Sequence, residues 1–377
     1  MTVNEPNKQE NKSPITLLTG VQPSGIMHIG NYFGSIVNCK NSMNESPDGS
    51  SFFYMVADLH ALGSLNAQTI KQNVFDIVSC YISCGISQAE HLKNRGEKGR
   101  VSIFAQSSVH QHSEAAIMLG SIAPLGMLER MTQFKTKAEA KESINLDLLS
   151  YPVLQAADIL LYDADIVPVG HDQMQHIELT RFLANKYNQN YPMKSTDGNV
   201  FVVPKGVIPT NGRRIMSLAD GTKKMSKSDG NSKSCIYLTD SNDEIALKIK
   251  HAKTDSISGI YCDQESRPEI SNLMSLMALF KQQNPSCKTS YDDIMQSIEN
   301  EYSAGKTAAF KSDLTNIIID HLSPIRDKIL YLQKNPEEVL QTMQDGRHHA
   351  EIRSSKTLHR MKSAAGMCYF EDEKNNG

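Results

Sequence analysis

The sequence predicts an α/β unit built on a parallel sheet, followed by a mainly helical one. Three observations predict it. Short apolar runs alternate with helical patterns from Ile15 to about Met216, as βαβ units require. After about Ser217 the strand signal fades and helical periodicity remains. The length of 377 residues is well over twice a typical domain of ~150 residues.

The elements follow in order. Ile15 to Val21 is an apolar run closed by Gln22-Pro23-Ser24-Gly25, a buried first strand and its turn. A helix is expected from about His28 to Met43. Ser51 to Ala57, rich in Phe and Tyr, is a second strand, and Ala67 to Cys84 has helical periodicity. Val101 to Ala105 is a third strand, entered through a charged loop, Lys93 to Arg100. Helical segments are expected from Ser113 to Gln133 and from Leu146 to Tyr162. A short strand at Asp165 to Val169 and a helix at Gln173 to Tyr187 come next. In the second region Asp243 to Lys253, Ile270 to Lys281, Lys306 to His321, Pro324 to Gln333 and Gly346 to Lys362 read as helices. Ser323-Pro324 and Asn335-Pro336 suit helix starts. The expected division is a disordered tail over 1–13, a Rossmann-like sheet domain over 14–216 and a helical domain over 217–377.

Lys plus Arg is 39 against 42 Asp plus Glu, so nucleic acid can be met only through a local basic face. The apolar run Ala115 to Leu128 falls short of the roughly 20 residues of a membrane helix; no membrane association is expected. The seven cysteines include no CxxC pair, which suits free thiols in a reducing compartment. Residues 1 to 13 are polar, with Glu5 and Glu10, unlike a secretory or transit segment. A cytoplasmic protein is expected.

Four clusters point to nucleotide chemistry. The first, Gly20 to Tyr32 (GVQPSGIMHIGNY), joins the first strand to the first helix. Ligands sit at the carboxyl ends of parallel strands, and helix N-termini attract phosphate there. Gly25 and Gly30 permit close backbone approach, although neither GxGxxG nor GxxxxGK[ST] is present. The second, Lys223-Lys224-Met225-Ser226-Lys227-Ser228, packs cations and hydroxyls into one loop between Gly221 and Gly230. Such a loop suits a clamp on a polyphosphate. The third, Tyr151 to Tyr162 (YPVLQAADILLY), sets Asp158 in an apolar helix. A buried carboxylate there needs a donor, from the protein or from a ligand. The fourth, Val169 to Arg181 (VGHDQMQHIELTR), puts Asp172 at a helix start beside Gly170, where a carboxylate can accept from ribose hydroxyls. His171 and His176 are poorly spaced for ligands on one helix face, so no metal site is expected.

Together, and in this order, these clusters resemble the class I aminoacyl-tRNA synthetases. His28-Ile29-Gly30-Asn31 is the HIGH-like element and Lys224 to Ser228 the KMSKS element. The runs GVQPSGIMHIGNYFG, ERMTQFK (Glu129 to Lys135), YPVLQAADILLY and VPVGHDQMQHIELTR resemble the tryptophanyl-tRNA synthetase family of the bacterial and organellar type. The resemblance covers about Ile15 to Cys368. Gly230 departs from the proline common in the family, and Met367 to Gly377 matches poorly.

The resemblance implies a two-step reaction. Tryptophan is activated with Mg·ATP to tryptophanyl-adenylate, then transferred to the 3′-terminal ribose of tRNA(Trp). It implies ATP contacts at Gln22, Pro23, Ser24, Gly30, Asn31, Gly170, His171, Asp172, Ile215, Lys224, Met225, Ser226, Lys227 and Ser228. His28 would lie near the phosphates, and Lys224 and Lys227 would stabilise transition-state charge. Asp158 would accept from the indole N–H, Tyr151 and Gln173 would hold the α-amino end, and His60 would line the same pocket. Magnesium would arrive on ATP without dedicated protein ligands. The family is homodimeric, and its helical domain reads the anticodon. Arg347, Arg353, Lys356, Arg360 and Lys362 stand against one acid, Glu351, and that face could meet phosphates or simply be solvated. The tyrosyl-tRNA synthetases, which share the fold, are the nearest alternative.

Overall fold

The computed structural model describes residues 13–95, 99–139, 145–193, 198–208, 214–227, 231–303 and 307–369. Residues 1–12 of the expected tail, part of the charged loop before Arg100, Ser228, Gly230 and the segment 370–377 lie outside these.

The strand sequences are apolar at odd and even positions alike, so both sheet faces must be covered. Leu17, Phe52, Tyr54, Val56 and Ile103 enter one core, and Leu18, Phe53, Met55 and Phe104 the other. The strands are β1 (Thr16–Val21), β2 (Ser51–Val56), β3 (Arg100–Ala105), β4 (Ile166–Pro168) and β5 (Lys205–Val207), in the order β3-β2-β1-β4-β5. Each pairing among them is parallel. β1 meets β2 from Thr16 opposite Ser51 to Val21 opposite Val56. The direction of strand progression reverses between β1 and β4, the point where this topology opens a crevice.

In the first half the helices are α1 (Ile29–Asn31), α2 (Val37–Glu45), α3 (Ala67–Ser83), α4 (Gln88–Arg95) and α5 (Gln111–Gly120). They continue with α6 (Leu125–Glu129), α7 (Thr132–Glu139), α8 (Leu146–Leu160) and α9 (Met174–Asn190). A π-helical turn, Tyr32–Ile36, joins α1 to α2. The helix expected over Ser113 to Gln133 is three pieces; Pro124 separates α5 from α6, and the chain breaks again at Arg130–Met131 before α7.

The later helices are α10 (Asn242–His251), α11 (Pro268–Gln282), α12 (Tyr291–Glu301), α13 (Thr307–Lys334) and α14 (Glu337–Ala364). Pro324 does not start a helix; it lies inside α13. It faces solvent, as does Asp320 one turn earlier, so the carbonyl it leaves without an N–H is open to water. Among the described residues no helix is long and apolar enough to cross a membrane.

The helices after residue 217 share the first core with the sheet. Phe33 meets Phe280 of α11 edge-on at 4.8 Å, and Tyr32 Oη lies 2.8 Å from Nε2 of His321 on α13. The last helix, α14, returns to the opposite core and covers the edge strand β3. A Cβ at Gly346 would stand 2.1 Å from the Ile103 carbonyl oxygen, so only glycine allows this approach.

Four of the five basic residues named on α14 have acidic partners. Arg353 reaches Asp163 at 3.3 Å, Arg360 pairs with the same carboxylate and Lys362 meets Glu114 of α5 at 2.9 Å. Arg347 pairs with Glu351 along the helix at 2.9 Å. Three of these cations, Arg353, Arg360 and Lys362, fasten α14 to the sheet unit, while Lys356 is exposed.

Two histidines at these helix contacts are held neutral. Burial, then nearby cations, lowers His321 and His349 from 6.5 to about 4. The His349 ring stacks on Phe53 at 5.2 Å, with Nδ1 2.6 Å from the Ser102 hydroxyl. Their folded-state pKa lies below the unfolded one, so the unfolded chain takes up protons first. This contribution is complete above pH 6.5 and declines as pH falls toward 4. The urea midpoint should therefore drop across that window, and His349→Gln should flatten the drop; a midpoint constant from pH 7 to 4 would contradict it.

Candidate active site

β1 ends at Val21 and β4 at Pro168, and the crevice opens beyond these two ends. A cavity of about 960 Å³ lies there. Its lining brings together Gln22, Gly30, Gly170, His171, Asp172, Ile215 and Lys224 with His60, Tyr151, Asp158 and Gln173. Pro23, Ser24, His28, Asn31, Met225, Ser226 and Lys227 are absent from that lining.

The first loop is held from several sides. Gly25 takes φ +78°, the left-handed region that favours glycine. Asn73 donates from Nδ2 to the Pro23 carbonyl at 2.7 Å. His28 is the N-cap of α1: its Nδ1 accepts from the Gly30 N–H at 3.0 Å, and Asn31 Oδ1 accepts from the His28 N–H at 3.2 Å. The ring lies over Gly30, where a Cβ would come within 2.7 Å of it. Burial, then the charges of Lys227 and Lys224, lowers His28 to about 4, so it is neutral at pH 7.

The lysine loop is a hairpin. Met225 N–H donates to Ile215 at 2.9 Å and Ser217 N–H to Lys223 at 2.8 Å, which directs Lys224 to the cavity. The chain beyond it pairs with the first motif, through Ile29 N–H to Ile236 and Leu238 N–H to Met27, each 2.9 Å. Lys227 Nζ donates to the Ser24 and Gly25 carbonyls at 2.7 and 3.2 Å. The two motifs, some two hundred residues apart, thus form one structure.

Asp158 is 2% exposed, and the protein supplies its donors. Gln106 Nε2 bridges both carboxylate oxygens at 2.8 and 2.9 Å. His112 Nδ1 lies 2.6 Å from Oδ1 and His60 Nε2 2.9 Å from Oδ2. Burial pushes this carboxyl up, but the hydrogen bonds from His112 and His60 outweigh it, holding the group at about 2. Nearby, the Tyr151 hydroxyl lies 2.9 Å from His176 Nε2 and donates to Gln133 Oε1 at 3.2 Å. Gln173 donates to Asp172 at 2.9 Å, and a Cβ at Gly170 would fall 2.8 Å from the same carboxylate.

Gln106 and His112 were not among the residues singled out from sequence. The available signal was positional: Gln106 directly follows the apolar run of β3, at the carboxyl edge where the sheet binds ligands.

The family model described as "tRNA synthetases class I (W and Y)" matches residues 9–323. The chain belongs to this family. A tryptophan–tRNA ligase of Rickettsia felis is 42% identical over 353 residues, 93% of this synthetase and 98% of the relative. One from Prochlorococcus marinus is 39% identical, covering 93% and 96%. Among solved structures, the Mycoplasma pneumoniae tryptophanyl-tRNA synthetase is 30% identical with a TM-score of 0.75, covering 94% of this chain and 98% of that one. The Campylobacter jejuni enzyme, complexed with ADP and tryptophan, is 27% identical with a TM-score of 0.74, covering 93% and 100%.

The cap gives His28 of the synthetase a structural task separable from chemistry. His28→Ala should cost about 0.5–2 kcal/mol of stability, while His28→Asn, a good N-cap, should restore most of it. Equal denaturant midpoints for the Ala and Asn variants would refute the capping role.

Proposed function

We propose that the synthetase is a tryptophan–tRNA ligase, activating L-tryptophan with ATP and transferring it to tRNA(Trp). The observation that carries this reading is one cavity lined by a buried ionised acceptor, Asp158, and by the loops after β1 and β4 with Lys224. Indole is a donor only and calls for an acceptor. The relatives at 42% identity act on the same amino acid.

In this reading Asp158 accepts the indole N–H, Tyr151 and Gln173 hold the α-amino end, and His60 lines the indole pocket. Gln22, Gly30, Gly170 and Asp172 hold the nucleotide, with Ile215 against the base. The tryptophan carboxylate, with a free pKa of roughly 3.3–3.7, is already ionised and attacks the α-phosphorus as the bond to the pyrophosphate oxygen breaks. No general base is needed; positioning and charge stabilisation carry the step. The lysines 224 and 227 meet the negative charge gathering on the departing pyrophosphate. The terminal ribose hydroxyl of tRNA then attacks the acyl carbon, and AMP leaves.

Among the described residues no group of three or more His, Cys, Asp or Glu is placed to hold a metal. In this reading magnesium arrives bound to ATP, as the family resemblance implies. We assign tRNA contact to the helical region after residue 217, and a homodimeric, cytoplasmic enzyme on the family pattern. None of the seven cysteines, all of them among the described residues, is in a disulfide, which suits a reducing compartment.

ATP–pyrophosphate exchange with each of the twenty amino acids tests the reading: tryptophan alone should support it, whereas tyrosine-dependent exchange would favour the tyrosyl alternative. The chain contains no tryptophan, so indole emission belongs to the substrate. Titrating the protein into dilute tryptophan should give a saturable blue shift that tyrosine does not reverse.

Lys227 is presently engaged with two loop carbonyls and must exchange them for phosphate oxygens. Lys227→Ala should slow single-turnover adenylate formation roughly 10²- to 10³-fold, the scale of losing one transition-state charge contact. Tryptophan affinity should change little. An unaltered single-turnover rate would remove Lys227 from the chemistry.

A further inference from the structure

The carboxylate of Asp158 has two sides. Of its three protein donors only His60 lines the cavity. Gln106 and His112, each 0% exposed, stand behind it. Gln106 is fixed as a donor toward Asp158, because its Oε1 accepts the Leu59 N–H at 3.1 Å. The carboxylate is an acceptor only, so His112 must carry a proton on Nδ1 to meet it at 2.6 Å. The other ring nitrogen, Nε2, lies 2.8 Å from the Tyr162 hydroxyl. A neutral ring accepts there from the phenol, which fixes the tautomer. The hydroxyl is buried among Phe53, Phe104 and the His112 ring, and burial keeps it protonated.

We propose that His112, held in its Nδ1–H tautomer by Tyr162, is a positioning residue for tryptophan selection: it aims and anchors Asp158 so that the cavity side of the carboxylate is left for the indole N–H. This rests on the reading of Asp158 as the indole acceptor. His112 acts from the rear on Oδ1, while the ligand competes with His60 on the side of Oδ2. The chain Asp158–His112–Tyr162 continues to the last helix, where Arg353 Nε donates to the Tyr162 carbonyl at 3.2 Å. The frame that holds the carboxylate is thus anchored outside the pocket.

The test compares tryptophan with its benzothiophene analogue, in which sulfur replaces the N–H, by ATP–pyrophosphate exchange. In the parent, tryptophan should be strongly preferred in kcat/KM. His112→Leu should lower that preference roughly 10- to 100-fold, the scale of losing a hydrogen bond to a charged group, through KM for tryptophan and with the ATP KM little changed. His112→Asn places an amide N–H where Nδ1 stood and should keep most of the preference. Tyr162→Phe retains the ring packing and should cost about 3- to 10-fold; it decides the matter if His112→Leu does not fold. Equal weakening of tryptophan and analogue in His112→Leu would make the residue merely structural and overturn the proposal. So would an unchanged preference in both His112→Leu and Tyr162→Phe while Asp158→Ala abolishes it, which would leave the pocket reading standing. An unchanged preference in Asp158→Ala would overturn that reading, and the proposal with it.

Discussion

A parallel sheet exposed on neither face is the constraint on which this structure depends. β1, β2 and β3 carry apolar side chains in both directions, so each face must find helices and the edge must find a cover. The chain meets the requirement with elements far apart in sequence. α3, α11 and α13 close one face, α5, α8 and α9 the other, and α14 lies along β3. The reversal of strand order between β1 and β4 leaves the loops after these strands uncovered. The cavity lies there, at the carboxyl ends of the strands where the order reverses.

The second constraint is electrostatic. An ionised carboxylate inside an apolar core is costly unless donors surround it. Around Asp158, burial and hydrogen bonding act in opposite directions, and the hydrogen bonds win. The same balance runs the other way at His28, His321 and His349, where burial and neighbouring cations keep the rings neutral. At Asp158 a buried charge is therefore kept where it faces the cavity, while these histidines carry none near neutral pH.

Much of the architecture was legible in the sequence because burial writes a local pattern. The runs at Ile15, Ser51 and Val101 became β1, β2 and β3 with small changes at the ends. β5 escaped notice, since Lys205-Gly206-Val207 is short and largely exposed. Pro324 misled because proline usually starts helices, and only its solvent-facing position in α13 allows continuation. The clusters around Gln22, Gly170 and Lys224 were visible as motifs and meet in one cavity. Gln106 and His112 were not, because what distinguishes them is a carboxylate 52 and 46 residues away. Arg353 and Arg360 of α14 looked available for the same reason: Asp163, nearly two hundred positions earlier, is invisible to any local reading.

The return of α14 to β3 has a consequence for the birth of the protein. The sheet is complete once Val207 has been made, yet its edge stays open until α14, starting at Glu337, is synthesised. At ribosomal speeds of 5–20 residues per second, that interval lasts roughly 6–26 s. For that time the nascent chain offers an unprotected row of backbone donors and acceptors beside an apolar surface, the condition under which strands recruit one another. The molecule closes the seam along β3 late in its own translation, and the glycine at 346 lets that closure be tight.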